Sequence, residues 1–162
     1  MDKRFNLCLI GFGNASRAFC KILLEHYESV KKMTGHDVRV TAIATRSKGS
    51  LVDKQGINLE NALLCIEKNE KIHETELLDL NTLSLIEQSG ADALIEMSAL
   101  SIKDGQPAIS YIEKAFDLGM HVITANKGPI AWRYKALNKM AEDKNLQFLY
   151  ETTVMDGTPV FN

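Results

Sequence analysis

Three short runs of this sequence carry residues that could act on a bound small molecule. Over 121–129 the chain reads HVITANKGP, in which His121 to Thr124 has the composition of a β-strand while Asn126, Gly128 and Pro129 take the backbone out of the sheet. Lys127 is therefore expected on the loop just past the carboxyl end of a buried strand, where open α/β sheets hold their ligands. A cation there suits a nucleotide or an anionic substrate. The plainer alternative is a loop lysine that is only solvated.

The second run is Gly11-Phe12-Gly13-Asn14-Ala15-Ser16. It follows Phe5, Leu7, Cys8, Leu9 and Ile10, an apolar stretch of the length of a buried parallel strand. Beyond it Ala18, Phe19, Ile22, Leu23 and Val30 recur at helical spacing, so a strand feeds a glycine turn that opens a helix. Gly11 permits the tight turn and Gly13 lacks the β-carbon that would block a pyrophosphate. The helix N-terminus adds free amides and the positive end of its dipole. The order of elements points to dinucleotide binding. Ser16 stands where glycine or alanine usually serves close packing of helix on strand, and it is small enough to fit.

The third run, Thr45-Arg46-Ser47-Lys48-Gly49, ends a strand over Val38 to Ala44 and bears on which dinucleotide is bound. An acidic residue at that strand end would hydrogen-bond the adenosine ribose and favour NAD, and none is present. Arg46 can pair its planar fork with a 2′-phosphate while Ser47 and Lys48 add donors, so NADP(H) is favoured, with a merely solvated basic loop as the alternative.

Elements that could position these runs alternate strand with helix, which predicts an α/β doubly wound parallel sheet of the Rossmann-like, NAD(P)-binding kind. Asn58 is placed to cap a helix carrying Leu59, Leu63 and Ile66, and Asn81 one carrying Leu83, Leu85 and Ile86, with a short third strand between Glu76 and Leu80. Ala93 to Met97 reads as a strand ending at Ser98. Pro107 opens a helix through Ile109, Ile112 and Phe116 that Gly119 ends. Trp132 to Lys144 is a further helix and Leu146 to Tyr150 the last strand. The nucleotide-binding domain is expected over 1–150, with 151–162 starting a crossover into a further domain.

Composition sets the class. At 162 residues, 45% apolar and 25% charged, the chain can bury a sizeable core, and nothing in it suggests disorder. A net charge of −2 and the lack of a dense basic run speak against nucleic acid as a partner. Apolar runs fall short of a membrane span and the N-terminus lacks the pattern of a signal peptide, so a cytoplasmic protein is expected. Cys8, Cys20 and Cys65 have no metal-ligand spacing and read as reduced core thiols.

The segments GFGNAS, DGQPAISYIEKAFDLGMHVITANKGPIA and YETTVMDGTPV together resemble the amino-terminal nucleotide-binding domain of homoserine dehydrogenase. The resemblance covers nearly the whole chain and is stronger from Asp104 to Val160 than between Lys48 and Ser89. It implies NAD(P)-dependent interconversion of L-homoserine and L-aspartate 4-semialdehyde, on the way to threonine and methionine. Residue by residue it implies that Phe12, Asn14 and Ala15 meet the cofactor phosphates within the turn of Gly11 and Gly13. Arg46, with Ser47 and Lys48, would meet the 2′-phosphate, and Ser98 would lie beside the cofactor. Lys127 would be a catalytic lysine near nicotinamide and substrate that orients or polarises the reacting groups, distinct from the family's acid/base lysine. Glu151, Val154, Asp156 and Thr158 would bind a monovalent cation, usually sodium, chiefly through backbone oxygens; for Glu151 the alternative is an ordinary charged residue after a strand.

In that family the acid/base lysine and aspartate, the substrate-binding glutamate and the oligomer interface lie in a second domain after the GTPV segment. The expectation is thus an inactive piece of an enzyme whose full-length form is a homodimer or homotetramer. Another amino-acid dehydrogenase with a similar first domain, such as one acting on aspartate, and a stand-alone nucleotide-sensing module are the competing readings.

Overall fold

The computed structural model describes residues 3–72 and 81–153. β1 (Lys3–Ile10) leads through the glycine turn into α1 (Asn14–Glu25), followed by α2 (Tyr27–Thr34), β2 (His36–Ala44) and β3 (Ser50–Val52). Then come α3 (Leu59–Glu67), α4 (Thr82–Gln88), β4 (Ala93–Glu96), α5 (Ala108–Asp117), β5 (His121–Thr124), α6 (Lys127–Asp143) and β6 (Phe148–Leu149). A single 3-10 turn, Glu151–Thr153, follows.

The strands form one six-stranded sheet in the order β3-β2-β1-β4-β5-β6. Every pairing is parallel except β2 with β3. Successive side chains of a strand point to opposite faces, and each face carries its own core. On one, Cys8, Ile10, Leu94 and Val122 pack with Leu85, Ile86, Ile112, Phe116 and Leu137 of α4, α5 and α6. On the other, Leu7, Leu9, Ile43 and Ile95 pack with Cys20, Leu23, Ala62 and Leu63 of α1 and α3. The sheet is doubly wound, as expected. Its strand order reverses between β1 and β4, which opens a crevice at the carboxyl ends of those strands.

Local signals placed several boundaries. Asn58 accepts a hydrogen bond from the Asn61 amide and Asn81 from the Ser84 amide, so both cap the helices expected of them. Gly119 takes the left-handed conformation (φ 77°) just past α5. Burial pushes the Cys8 and Cys20 thiols up to about 12, in keeping with inert core thiols.

Elsewhere the structure departs from expectation. The first helix breaks at His26, and its buried residues are Ser16, Cys20 and Leu23. Of the expected stripe, Leu23 is buried and Phe19 and Val30 pack against the core, whereas Ala18 is exposed and Ile22 is 57% exposed, their places on the packing face being taken by Ser16 and Cys20. β3 was not expected: the basic run after β2 turns the chain back into a short antiparallel edge strand. α6 starts at Lys127 rather than Trp132, with a kink at Arg133 (φ −138°, ψ 15°). The last strand covers only Phe148–Leu149. The strand expected within Glu76–Leu80, and all but the first three residues of the expected 151–162 crossover, lie outside the described residues.

Candidate cofactor site

Gly11 turns the chain at the end of β1 with φ 91°, its amide donating to the Ala44 carbonyl (2.9 Å) at the end of β2. A β-carbon on Gly11 would lie 2.4 Å from the Met97 carbonyl oxygen, so the approach of β1 to the end of β4 requires glycine. Gly13 has a different task. It is the N-cap of α1 with φ −83°, no side chain caps that helix end, and an added β-carbon would meet nothing within 4 Å. The turn thus presents the amide end of a twelve-residue helix to open space, as a pyrophosphate needs.

Ser16 resolves the question raised by its place in the motif. It is fully buried, and its hydroxyl donates to the Gly11 carbonyl (2.5 Å) beside the Met97 sulfur (3.5 Å). Serine there packs closely and ties the turn to its own helix. Phe12 is buried, while Asn14 and Ala15 are exposed at the start of α1. Arg17, which the sequence reading passed over, folds back with Nη2 donating to Asn14 Oδ1 (2.5 Å) and Nε to the Gly13 carbonyl (3.4 Å).

A cavity of about 730 Å³ runs from this turn to the basic one. Gly11, Phe12 and Gly13 line one end and Thr45, Arg46, Ser47 and Lys48 the other, with Met97, Ser98, Pro107 and Tyr111 along its wall. The basic turn is closed by Thr45, whose hydroxyl donates to the Gly49 carbonyl (2.7 Å) and accepts from the Lys48 amide (2.7 Å). Within it the cations differ. The Lys48 ammonium donates to the Asn69 carbonyl (2.8 Å) and to the Asn69 side-chain oxygen. Arg46 is exposed, and its guanidinium has no hydrogen bond or ion pair among the described residues.

A second cavity, of about 530 Å³, continues over the ends of β4 and β5, lined by Ala15, Ile95, Met97, Ser98, Ile123, Ala125 and Thr152. Met97 and Ser98 line both spaces, so Ser98 stands where they join. Lys127 is exposed and is the first residue of α6, two positions past Ala125. Asn126 caps that helix, its side chain accepting from the Gly128 amide (3.1 Å). The expectation of a loop lysine is therefore corrected. Asn126, Gly128 and Pro129 act as helix-start residues, because a side-chain acceptor at the cap and proline in the first turn satisfy or dispense with amides that have no helical partner. Lys127 lines neither cavity.

Beneath Ser98 sits a residue the sequence reading had counted only as part of a strand. Glu96 is fully buried; Oε1 accepts from the Ser98 amide (2.8 Å) and meets the Ser98 hydroxyl (2.5 Å), and Oε2 accepts from the Thr124 hydroxyl (2.9 Å). A carboxylate in an otherwise apolar strand was the signal that could have found it. Glu151 is exposed in the 3-10 turn, and Val154, Asp156 and Thr158 lie outside the described residues. Among the described residues no group of three or more His, Cys, Asp or Glu side chains could hold a metal.

A crevice of this shape at the switch point of a doubly wound sheet, between a glycine turn and a basic turn, defines the class: a Rossmann-type dinucleotide-binding domain. Residues 11–151 match the family described as "Homoserine dehydrogenase, NAD binding domain", and the chain belongs to that family. It is 32% identical over 160 residues to the NAD(+)-dependent homoserine dehydrogenase of Pseudomonas canavaninivorans, covering 96% of this chain and 45% of that protein. With the homoserine dehydrogenase of Methanocaldococcus jannaschii the identity is 30%, over 97% of this chain and 47% of the relative. A solved hyperthermophilic archaeal homoserine dehydrogenase in complex with NADPH superposes with a TM-score of 0.80 at 28% identity, covering 97% of this chain and 46% of the other. The chain thus spans a little under half the length of these relatives. No helix among the described residues is long and apolar enough to cross a membrane.

Proposed function

We propose that the chain is the cofactor-holding half of a homoserine dehydrogenase that prefers NADP(H) and interconverts L-homoserine and L-aspartate 4-semialdehyde. The observation that carries the NADP(H) preference is Arg46, a guanidinium without a partner among the described residues on the same cavity as the glycine turn. A planar fork in that state can take a 2′-phosphate in a bidentate pair without first giving up another bond. Amides of Gly13, Asn14 and Ala15 would hold the pyrophosphate, and Ser47 and Lys48 would line the adenosine end. Ser98 would face the nicotinamide where the two cavities meet. The cofactor supplies the hydride acceptor; the chain supplies its grip and orientation.

Lys127 would orient or polarise the reacting groups from the head of α6, where the positive helix end adds to its charge. Glu151, Val154, Asp156 and Thr158 would hold a monovalent cation, sodium by resemblance to the family. The enzyme would work as a homodimer or homotetramer in the cytoplasm. A second reading, NAD as the cofactor, is favoured by one observation: Lys48 is engaged with Asn69, so the turn offers one ready cation rather than two.

Titrating the chain with NADPH and NADH, following nicotinamide fluorescence, tests the cofactor reading. Saturable binding with NADPH tighter is expected; no binding of either would overturn it, and tighter NADH would select the second reading. Profiling homoserine against aspartate, with the carboxyl-terminal part of the enzyme supplied, tests the substrate. Turnover of aspartate alone would replace homoserine dehydrogenase with an aspartate-oxidising relative.

A further inference from the structure

Four side chains and one helix start form a closed hydrogen-bonded ring at the carboxyl ends of β4 and β5. Glu96 accepts from Ser98 (2.8 Å to its amide) and from the Thr124 hydroxyl (2.9 Å). Thr124 Oγ1 in turn accepts from the Asn126 amide (3.0 Å), and Asn126 Nδ2 donates to the Ser98 carbonyl (3.3 Å), which returns the path to its origin. Glu96, Thr124 and Asn126 are all at least nineteen-twentieths buried, and Glu96 is paired in register with Thr124 across β4 and β5. The same Asn126 caps α6, whose first residue is Lys127.

Burying a carboxylate costs several kcal/mol unless its oxygens are satisfied, and an apolar residue at this place in a sheet core would avoid that cost. Among the described residues no cation pairs with Glu96; its partners are two hydroxyls and one amide. The arrangement therefore does something an aliphatic side chain could not: it fixes the Ser98 backbone and hydroxyl at the junction of the two cavities and links that position to the start of α6. We propose that Glu96 is a positioning residue of the cofactor site, acting through Ser98 on the nicotinamide half and not on the adenosine half. This inference rests on the nicotinamide-cofactor reading. The adenosine end is lined instead by Thr45 to Lys48, which belong to a different strand end and share no hydrogen bond with the ring.

Glutamine is the informative substitution because it keeps size and one acceptor. In Glu96→Gln the amide nitrogen must face either the Ser98 amide, a donor against a donor, or Thr124, whose hydroxyl would have to give up its own donation to residue 96. Wild type and Glu96→Gln are titrated with NADPH and with adenosine 2′,5′-bisphosphate, which represents the adenosine half alone. Loss of one or two hydrogen bonds from the ring predicts NADPH binding weaker by about tenfold, with the bisphosphate unchanged within about twofold. The emission of bound NADPH should also move toward that of the free cofactor.

Thr124→Val removes one link without touching the carboxylate, and Thr124→Ser restores the hydroxyl. Valine should reproduce the split and serine should return wild-type binding, which keeps the test decisive where Glu96→Gln does not fold. Equal weakening of both ligands, or NADPH binding unchanged in Glu96→Gln and Thr124→Val, overturns the positioning role while leaving cofactor binding in place. Failure of the wild type to bind either ligand overturns the cofactor reading, and this inference with it.

Discussion

Arg46 and Lys48 share one turn, yet the structure gives them different states. The lysine is already bonded to Asn69, so contact with a phosphate would exchange one set of hydrogen bonds for another, whereas Arg46 would gain its contact outright. Arg46→Ala should therefore weaken NADPH by on the order of 1.5 to 3 kcal/mol while leaving NADH nearly unchanged, and Lys48→Ala should have a smaller effect. Calorimetric titration of both cofactors checks this, and an undiminished NADPH preference in Arg46→Ala would return Arg46 to a solvated surface. The two glycines of the turn make a second contrast. Gly11→Ala would force a methyl group to 2.4 Å from the Met97 carbonyl oxygen at φ 91°, a clash with the Met97–Ser98 backbone at the end of β4. A loss of stability on the order of 3 kcal/mol is expected by denaturant unfolding. Gly13→Ala meets nothing within 4 Å, so the fold should be unaffected while NADPH binding falls, since the methyl would fill the space in front of the helix amides. Equal stability losses in the two variants would contradict this division of labour.

At the scale of elements, the junction between α2 and β2 is held by three side chains at the opposite ends of the strands from the cofactor site. Tyr27 donates to Asp37 Oδ1 (2.6 Å), and Arg39 donates to Asp37 Oδ2 from Nε (2.9 Å) and Nη2 (2.6 Å). Bonds from Arg39, then from Tyr27, hold the Asp37 carboxyl below the usual carboxylate range, and the bond to Asp37 holds the Tyr27 phenol above its usual value. A depressed acid contributes stability that is present above its unfolded value of about 3.9 and is lost as pH falls through the lower folded value. A raised phenol contributes below about 10 and is lost as pH climbs through the higher folded value. Asp37→Asn should thus cost about 1 to 2 kcal/mol near neutral pH and flatten both the acid limb and the alkaline limb of the stability curve. Thermal melts across pH decide it: an acid limb identical to wild type would place the sensitivity elsewhere.

For the molecule as a whole, hydride transfer needs an alcohol and a nicotinamide held in near-attack geometry, together with a base for the hydroxyl proton. The chain spans 45% of its Pseudomonas relative, and the larger of the two cavities at the strand ends runs between the glycine turn and the basic turn. Orientation of both reactants is worth about 7 to 11 kcal/mol in well-positioned systems, and under the proposed function this chain supplies a site for the cofactor alone. The 162-residue chain by itself is expected to bind cofactor and to oxidise no homoserine detectably, with turnover appearing on addition of the carboxyl-terminal part. Absorbance of NADPH at high protein concentration reads this directly, and turnover by the chain alone would place the chemistry within these residues.

Legibility in the sequence followed how local each cause was. The glycine turn, the caps at Asn58 and Asn81, the stop at Gly119 and the alternation of strand and helix are settled by dihedral preferences and by hydrogen bonds spanning a few residues, so the doubly wound class, with the glycine turn and the basic turn both at the carboxyl ends of its strands, could be read from the chain itself. Asn126, Gly128 and Pro129 show the limit of such reading, because the same residues that break a strand also start a helix, and only packing chose between a loop and α6. Leu23 is buried as its spacing predicts, but the burial of Ser16 and Cys20 in place of Ala18 and Ile22 was decided by which face of α1 met the sheet, a matter of the partner surface and not of the helix. β3 exists because an edge of β2 was free to pair, and the ring around Glu96 exists because parallel register brings it opposite Thr124 across 28 residues of sequence. Contacts of that separation depend on the assembled sheet, and they are what tertiary structure alone supplied.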